Sequence, residues 1–333
     1  MSNSGTLTHQ YVLLADIGGT NARFALADGA GIGAIAHLKV GDFPSVTEAI
    51  ATFLHHRTAL GKVGAAVLAV AGPVENNRST TTNSRWLIDG EVLKTAFGFT
   101  AVRILNDFEA VAWSLPELKS QDVHPIGGGH AVAGAPMLAL GPGTGFGVAC
   151  LFAPDRMSFA AVSEAGHATI AAMSSREDQV IGHLRERFGH VSVERTLSGA
   201  GLENLYRALA SLDGATVQGR DAPAITQAAL DGSCSVSGAA LDMFCSLLGS
   251  VAGSLALTFS ARGGVYIAGG IVPRFADYLA RSSFRKQFES KGRFESYLRD
   301  IPASIIVRSD ESFVGLKAFY DRTMAGDASD AKG

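Results

Sequence analysis

Apolar and polar positions along the chain alternate between two periods. An apolar run, Tyr11-Val-Leu-Leu-Ala15, ends at Asp16, and a second, Arg23-Phe-Ala-Leu26, begins four residues past Gly19. Between them Gly18-Gly19-Thr20-Asn21 predicts a tight turn, so the opening reads as strand, turn, strand. Ser45-Val-Thr-Glu48 has the spacing of a capping box, and Val46, Ile50, Phe53 and Leu54 then recur at helical spacing up to Gly61. Residues 63–71 form a continuous apolar run that predicts a strand, and Gly72-Pro73 closes it. Strand, crossover helix and strand in this order give an α/β chain.

Further along, the polar segment 75–86 is too long for a plain turn and reads as a functional loop. Residues 102–105 predict a short strand, and Asn106-Asp107 leads straight into the helical stretch Phe108-Glu-Ala-Val-Ala-Trp113. The opening pattern then returns. Residues 137–140, the turn Gly141-Pro-Gly-Thr-Gly145-Phe-Gly147 and residues 148–152 again make strand, glycine-rich turn, strand. Two such hairpins suggest two halves of related architecture. Residues 174–189 predict a capped amphipathic helix, 190–199 a connector, 201–209 a helix, 211–222 a loop, and two more helices end near Phe259. A short buried strand at 265–268 runs into Gly269-Gly270 and a helix after Pro273. A late strand at 303–307, a closing helix at 314–324 and a disordered tail at 325–333 complete the prediction.

Composition narrows the class. The 333 residues suffice for two domains, and 47% hydrophobic with 18% charged residues reads as a soluble globular protein. A net charge of -3 leaves no electrostatic footprint for nucleic acid or an anionic membrane. Cys150, Cys234 and Cys245 are scattered without CxxC spacing, which argues against a zinc site or disulfide framework and fits a reducing cytoplasm. Residues 1–10 lack a basic stretch followed by an apolar core, so no signal peptide is expected. The apolar stretch 247–259 is interrupted by Ser250, Ser254 and Thr258 and is shorter than the ~20 residues that span a bilayer. It reads as a buried helix whose small residues allow close packing.

Candidate chemistry gathers at the turns. Gly18-Gly19-Thr20-Asn21 can cradle a phosphate, since glycine lets successive N–H groups approach one anion and Thr and Asn add neutral donors. Asp16 would face a metal bound to that anion. The segment is neither GxxxxGK[ST] nor GxGxxG opening a helix, and an ordinary Gly-Gly hairpin turn accounts for it equally well. Asp107 stands where a strand meets a helix, a place suited to chemistry, although Asn and Asp also serve there as helix caps. Ser163-Glu164-Ala-Gly-His167 offers two hydrogen-bonding groups or a plain surface loop, and Glu194 alone would be an unremarkable exposed acid. Gly269-Gly270 suits the close approach of a nucleoside or a simple strand-to-helix turn.

Taken together, Asp16-Ile-Gly-Gly-Thr-Asn-Ala-Arg-Phe-Ala-Leu26, Leu105-Asn-Asp-Phe108, Gly141-Pro-Gly-Thr-Gly-Phe-Gly147, Glu164-Ala-Gly-His167, His190-Val-Ser-Val-Glu-Arg195, Leu197-Ser-Gly199 through Asn204-Leu-Tyr206, and Ile267-Ala-Gly-Gly-Ile-Val-Pro-Arg274 resemble the blocks of the bacterial glucokinases, in that family's order. These belong to the hexokinase, actin and heat-shock-protein ATPase superfamily. The resemblance covers nearly the whole chain. It implies an α/β, two-domain ribonuclease-H-like (actin-like ATPase) fold with mixed sheets flanked by helices and a cleft between domains. A small domain would take residues 1–117 and the returning helix at about 312–326, and a large domain 118–311. The related branch that includes sugar-responsive repressors carries a cysteine-rich zinc motif after its EAGH-like segment and an N-terminal DNA-binding extension; neither is read here, so the zinc-free branch is implied.

The resemblance also implies roles. Asp107 would be the base that takes a proton from the sugar's 6-hydroxyl, and Asn106, Glu164, His167 and Glu194 would hold the other hydroxyls. Ala15, Asp16, Ile17, Gly18, Gly19, Thr20 and Asn21, with Gly141, Gly143, Thr144 and Gly145, would surround the phosphates of ATP, and Gly269 and Gly270 its adenosine side. Asp16 would act through Mg2+. D-glucose and ATP are the implied substrates, D-glucose 6-phosphate the product, a homodimer the implied assembly and the cytoplasm the location. Three other readings stay open: an actin-like ATPase switch, a sugar sensor without transfer, and a kinase for another hexose or an acyl-amino sugar.

Overall fold

The computed structural model describes residues 11–55, 57, 61–80, 86–152 and 157–325. The segments 1–10 and 326–333, for which no signal peptide and a disordered tail are expected, lie outside the described residues. The rest divides into two compact units, one from residues up to 117 together with those from 310 onward, the other from 118–309.

The first unit is built on a six-stranded sheet. Its first hairpin pairs β1 (Tyr11–Ile17) with β2 (Asn21–Asp28), antiparallel, and Asp16 lies opposite Arg23. β3 (Gly31–Ile32) and β4 (Ala36–Lys39) pair with the outer side of β2. Helix α1 (Val46–His55) starts where the Ser45 hydroxyl accepts from Glu48 N–H at 3.3 Å, and it leads to β5 (Val63–Val70), parallel to β1. The segment 75–86, expected as a loop, instead contributes a strand to a small separate hairpin, β6 (Arg78–Thr80) with β7 (Leu87–Asp89); its residues 81–85 lie outside the described set. α2 (Gly90–Phe97) then leads to β8 (Ala101–Asn106), parallel to β5, and α3 (Asp107–Ser114) follows without a break. Leu13, Phe24, Ile50, Phe53 and Leu68 form the core on one side of this sheet.

The second unit repeats the plan. β9 (Val123–Pro125) is an outer strand, and β10 (Met137–Pro142) and β11 (Phe146–Phe152) form the second hairpin, with β12 (Phe159–Ser163) beyond. Five helices intervene: α4 (Ser175–Phe188), α5 (Val193–Thr196), α6 (Gly199–Leu212), α7 (Ala222–Leu230) and α8 (Ser235–Phe259). β13 (Val265–Ile267) then runs parallel to β10. After it come α9 (Ala276–Arg281), α10 (Phe284–Glu289), α11 (Glu295–Arg299) and β14 (Ala303–Ile306), parallel to β13. The order β12-β11-β10-β13-β14 matches β3-β2-β1-β5-β8 in both sequence and direction, so the expected relation between the halves is present.

α8 is the one described helix long and apolar enough to cross a membrane by length and composition, and 72% of its most apolar window is buried within the fold. The expectation of close packing holds. A Cβ on Gly249 would stand 2.2 Å from the Phe284 carbonyl oxygen, and one on Gly253 2.3 Å from that of Phe288, so α10 lies directly on the α8 backbone.

The chain ends with α12 (Glu311–Thr323) in the first unit. It crosses α3 at Gly315, where a Cβ would lie 1.7 Å from the Ala110 carbonyl oxygen, and Phe319 meets the Trp113 ring edge-on at 5.3 Å.

Candidate active site

In the first unit the predicted residues stand in a row across the ends of parallel strands. Ile17 is paired with Val70 and Val70 with Asn106, so the carboxyl ends of β1, β5 and β8 finish together. Open α/β sheets bind ligands at such ends. Asp16, Ile17 and the Gly18–Thr20 turn lie at one end of the row, Asn106 and Asp107 at the other. Gly18 N–H donates to Asn21 O at 2.9 Å and closes the turn, leaving Thr20 and Asn21 exposed. Ala15 and Ile17 have fully buried side chains, so they shape the strand end from within the core.

Asn106 caps the helix that follows it. Its Oδ1 accepts from Phe108 N–H at 2.9 Å and Glu109 N–H at 3.3 Å, and Glu109 Oε2 accepts in return from Asn106 N–H at 3.4 Å, a complete capping box. Its Nδ2 donates to Gly72 O at 3.1 Å, tying the end of β8 to the loop after β5, and its second amide hydrogen meets no partner among the described residues. Asp107, the next residue, accepts at Oδ1 from Phe108 N–H at 3.0 Å and stays partly exposed at the helix start. Burial pushes the Glu109 carboxyl from the ordinary 4.5 up to about 7, against the opposing bond from Asn106 N–H.

Asp16 has partners that sequence reasoning missed. Its Oδ2 is paired with the Arg23 guanidinium and accepts from Ser312 Oγ at 2.7 Å, while Arg23 also donates to Ser312 Oγ at 3.1 Å and lies over the Phe313 ring at 5.4 Å. Arg23 was within reach as the cross-strand partner of Asp16. Ser312, 296 residues away, carried no local signal. Beside this triad, burial and the Asp16 and Asp310 charges push the Glu311 carboxyl up despite Arg23, and Glu311 Oε2 is buried without a hydrogen-bond partner. Among the described residues no group of three His, Cys, Asp or Glu side chains is placed to hold a metal ion, so Asp16, beside the Arg23 guanidinium, is the one carboxylate this turn offers. A single carboxylate fits a divalent cation that arrives with phosphate and keeps several waters.

In the second unit the Gly141–Gly147 turn is tied down at several points. Gly143 N–H donates to Gly145 O at 2.8 Å, the counterpart of the closing bond in the first hairpin, and Gly199 N–H donates to Gly143 O at 3.0 Å. Glu194 is no plain surface acid. It sits on α5, a helix where a connector was expected, and its Oε2 accepts from Phe146 N–H at 3.0 Å. A Cβ on Gly145 would stand 2.5 Å from that same oxygen. Gly141 and Gly269 are glycine because the two turns touch: their Cβ atoms would meet Ala268 O at 1.9 Å and Pro142 O at 2.6 Å, and Gly269 has φ of 94°. Gly143 and Gly270 face open space. Thr144 is exposed beside them.

Glu164 and His167 bracket a single 3₁₀ turn (Ala165–His167), and both side chains are exposed. The turn is held to the start of α5 by Val193 N–H on Ala168 O at 2.9 Å, Ile170 N–H on Val191 O at 3.0 Å and a Thr169 Oγ1 to His190 Nε2 bond of 3.0 Å. Glu164, His167 and Glu194 are therefore carried on one hydrogen-bonded segment.

The fold is that of a crystal structure of glucokinase from an Antarctic psychrotroph, with TM-score 0.86, 37% identity and coverage of 93% of this chain and 98% of that one. It extends to a glucokinase of the ROK family from Streptomyces griseus, solved with glucose and AMPPNP, at TM-score 0.60 and 19% identity over 92% of this chain and 97% of that one. This is the actin-like ATPase fold of the sugar kinases. The glucokinase family model matches residues 13–323, and the chain belongs to that family. It is 43% identical over 311 residues to the glucokinase of Paramagnetospirillum magneticum, covering 92% of this chain and 96% of that protein. It is 42% identical over 318 residues, 95% of this chain, to the Bifunctional protein glk of Paraburkholderia xenovorans, of which it spans about half the length, 50%.

Proposed function

We propose that this protein phosphorylates D-glucose at the 6-hydroxyl with ATP, giving D-glucose 6-phosphate and ADP. The observation that carries this reading is the placing of Asp107 at the start of α3, on the same row of strand ends as the glycine turn, in a chain that belongs to the glucokinase family. Asp107 accepts the hydroxyl proton as the sugar oxygen bonds to the γ-phosphorus and the bridging bond to ADP breaks. Transfer of this kind asks chiefly for alignment and charge stabilisation. Asn106 offers its remaining amide hydrogen to the sugar, and Glu164, His167 and Glu194 supply further hydrogen bonds to its hydroxyls. The open backbone at Gly143 and Gly270 and the exposed Thr20, Asn21 and Thr144 serve ATP. Mg2+, bound with ATP, would neutralise phosphate charge, with Asp16 holding it through water or phosphate oxygen.

We propose the cytoplasm as the location, a reading supported by the scattered spacing of Cys150, Cys234 and Cys245. A homodimer is carried over from the family resemblance, and sedimentation of the purified chain tests it. The function itself is tested by ADP release from MgATP, without sugar and then with glucose, mannose, fructose, galactose and N-acetylglucosamine. Strong release with glucose alone supports the proposal. Release without sugar points to an ATPase switch, release with another hexose reassigns the acceptor, and release with none marks a sensor.

A further inference from the structure

Ser312 occupies an unusual position for a helical serine. It lies in the first turn of α12 and is 5% exposed, yet its hydroxyl does not bond to its own helix. Serine in a helix ordinarily turns its hydroxyl to a nearby backbone group. Here the proton goes to Asp16 Oδ2 on β1, and the lone pairs receive Arg23 from β2. Two side chains, from β2 and α12, thus converge on one carboxylate oxygen of β1. Asp16 Oδ1 is left without a protein partner among the described residues, on a side chain that is 18% exposed.

We infer that Ser312 and Arg23 are positioning residues for the phosphate-binding turn: they clamp Oδ2 of Asp16 so that Oδ1 is presented, in one fixed rotamer, to the magnesium that accompanies the nucleotide. The inference rests on the reading of Asp16 as the metal-facing acid. It adds that α12 completes the corner around Asp16, whose other described parts lie on β1 and β2. A carboxylate that accepts two charge-assisted or hydroxyl bonds on one oxygen loses rotational freedom before the ligand arrives, which lowers the ordering cost of binding. The alternative is a plain staple between α12 and β1, which would affect folding and nothing else.

The two are separated by titrating ADP into the full-length protein calorimetrically, with and without Mg2+, and recording thermal melts of the same samples. The variants are Ser312→Ala, Arg23→Lys, Asp16→Asn and the double variant Asp16→Asn with Ser312→Ala. Ser312→Ala is expected to weaken ADP binding about 10-fold in the presence of Mg2+, the scale of one hydrogen bond to a charged group, and to leave Mg-free binding unchanged. Arg23→Lys, which keeps the charge and loses the planar fork, should fall between wild type and Ser312→Ala. In the Asp16→Asn background, Ser312→Ala should cost nothing further. Equal loss with and without Mg2+, or additive loss in the double variant, overturns the clamp while leaving Asp16 as the metal-facing acid. Should Asp16→Asn itself leave Mg-dependent binding intact, the assignment of Asp16 falls, and the clamp with it. If Ser312→Ala does not fold, Arg23→Lys and Asp16→Asn alone decide: a Mg-specific loss in Arg23→Lys supports the clamp, and unaltered binding overturns it.

Discussion

Asp107 and Glu109 sit two residues apart on the first turn of α3, and their surroundings assign them different work. Asp107 is partly exposed at the helix start, where it accepts from Phe108 N–H, while Glu109 is turned inward to close the capping box. Asp107→Asn should lower kcat by about 10²- to 10⁴-fold, the usual worth of a positioned base, with the KM for glucose near wild type; steady-state kinetics checks this. Glu109 leads to a prediction about stability. Its carboxyl titrates in the folded protein at about 7 instead of 4.5, so it holds a proton in the fold that unfolding releases. The stabilisation from that proton is complete below pH 4.5 and is lost as pH rises through 7, by about 3 kcal/mol in all. Glu109→Gln should flatten this part of the pH dependence, read as Tm between pH 4.5 and 8. Much of this was open to sequence reasoning, because a cap and a base both want Asn-Asp at a strand-to-helix junction. The bonds at Glu194 and Ser312 were not. A hydrogen bond to Phe146 or Asp16 depends on elements folding back from 48 and 296 residues away, and nothing in the local spacing marks it.

At the scale of elements, the period of the apolar pattern revealed the central strands and the long helices, since burial on one or both faces leaves a repeat of 2, 3.6 or an unbroken run. α5 escaped because a four-residue helix is too short to show a period, and β3, β4, β6, β7 and β9 because strands of two to four residues are too short as well; α2 and β12 were not read either. The glycine-rich turns were found as motifs, but their glycines proved to differ in kind. Gly141→Ala should lower Tm sharply, since the new methyl would stand 1.9 Å from a backbone oxygen with nowhere to move. Gly143→Ala meets open space and should leave Tm nearly unchanged while weakening ATP binding, because backbone and phosphate must approach closely there. Differential scanning calorimetry with nucleotide titrations on the two variants distinguishes them.

For the whole molecule, the two units share one strand order but not one continuity. The second is a single stretch, 118–309, with its own sheet and a core of its own in which Leu140, Phe244, Leu248 and Ile267 are fully buried. A fragment of those residues should fold alone, with a cooperative melt and dispersed amide spectra. A fragment of residues 1–117 should not, because α3 would lack the helix that covers Ala110 and Trp113; a peptide spanning 310–325 added in trans should restore it.

The return of α12 to the first unit also sets an order of events during synthesis. The ribosome makes the opening hairpin first, yet the helix that seats against α3 and reaches Asp16 emerges after the whole of the second unit. The unit begun first is therefore finished last, and the nascent chain must carry its sheet and α3 without the covering helix while the second unit forms downstream of it.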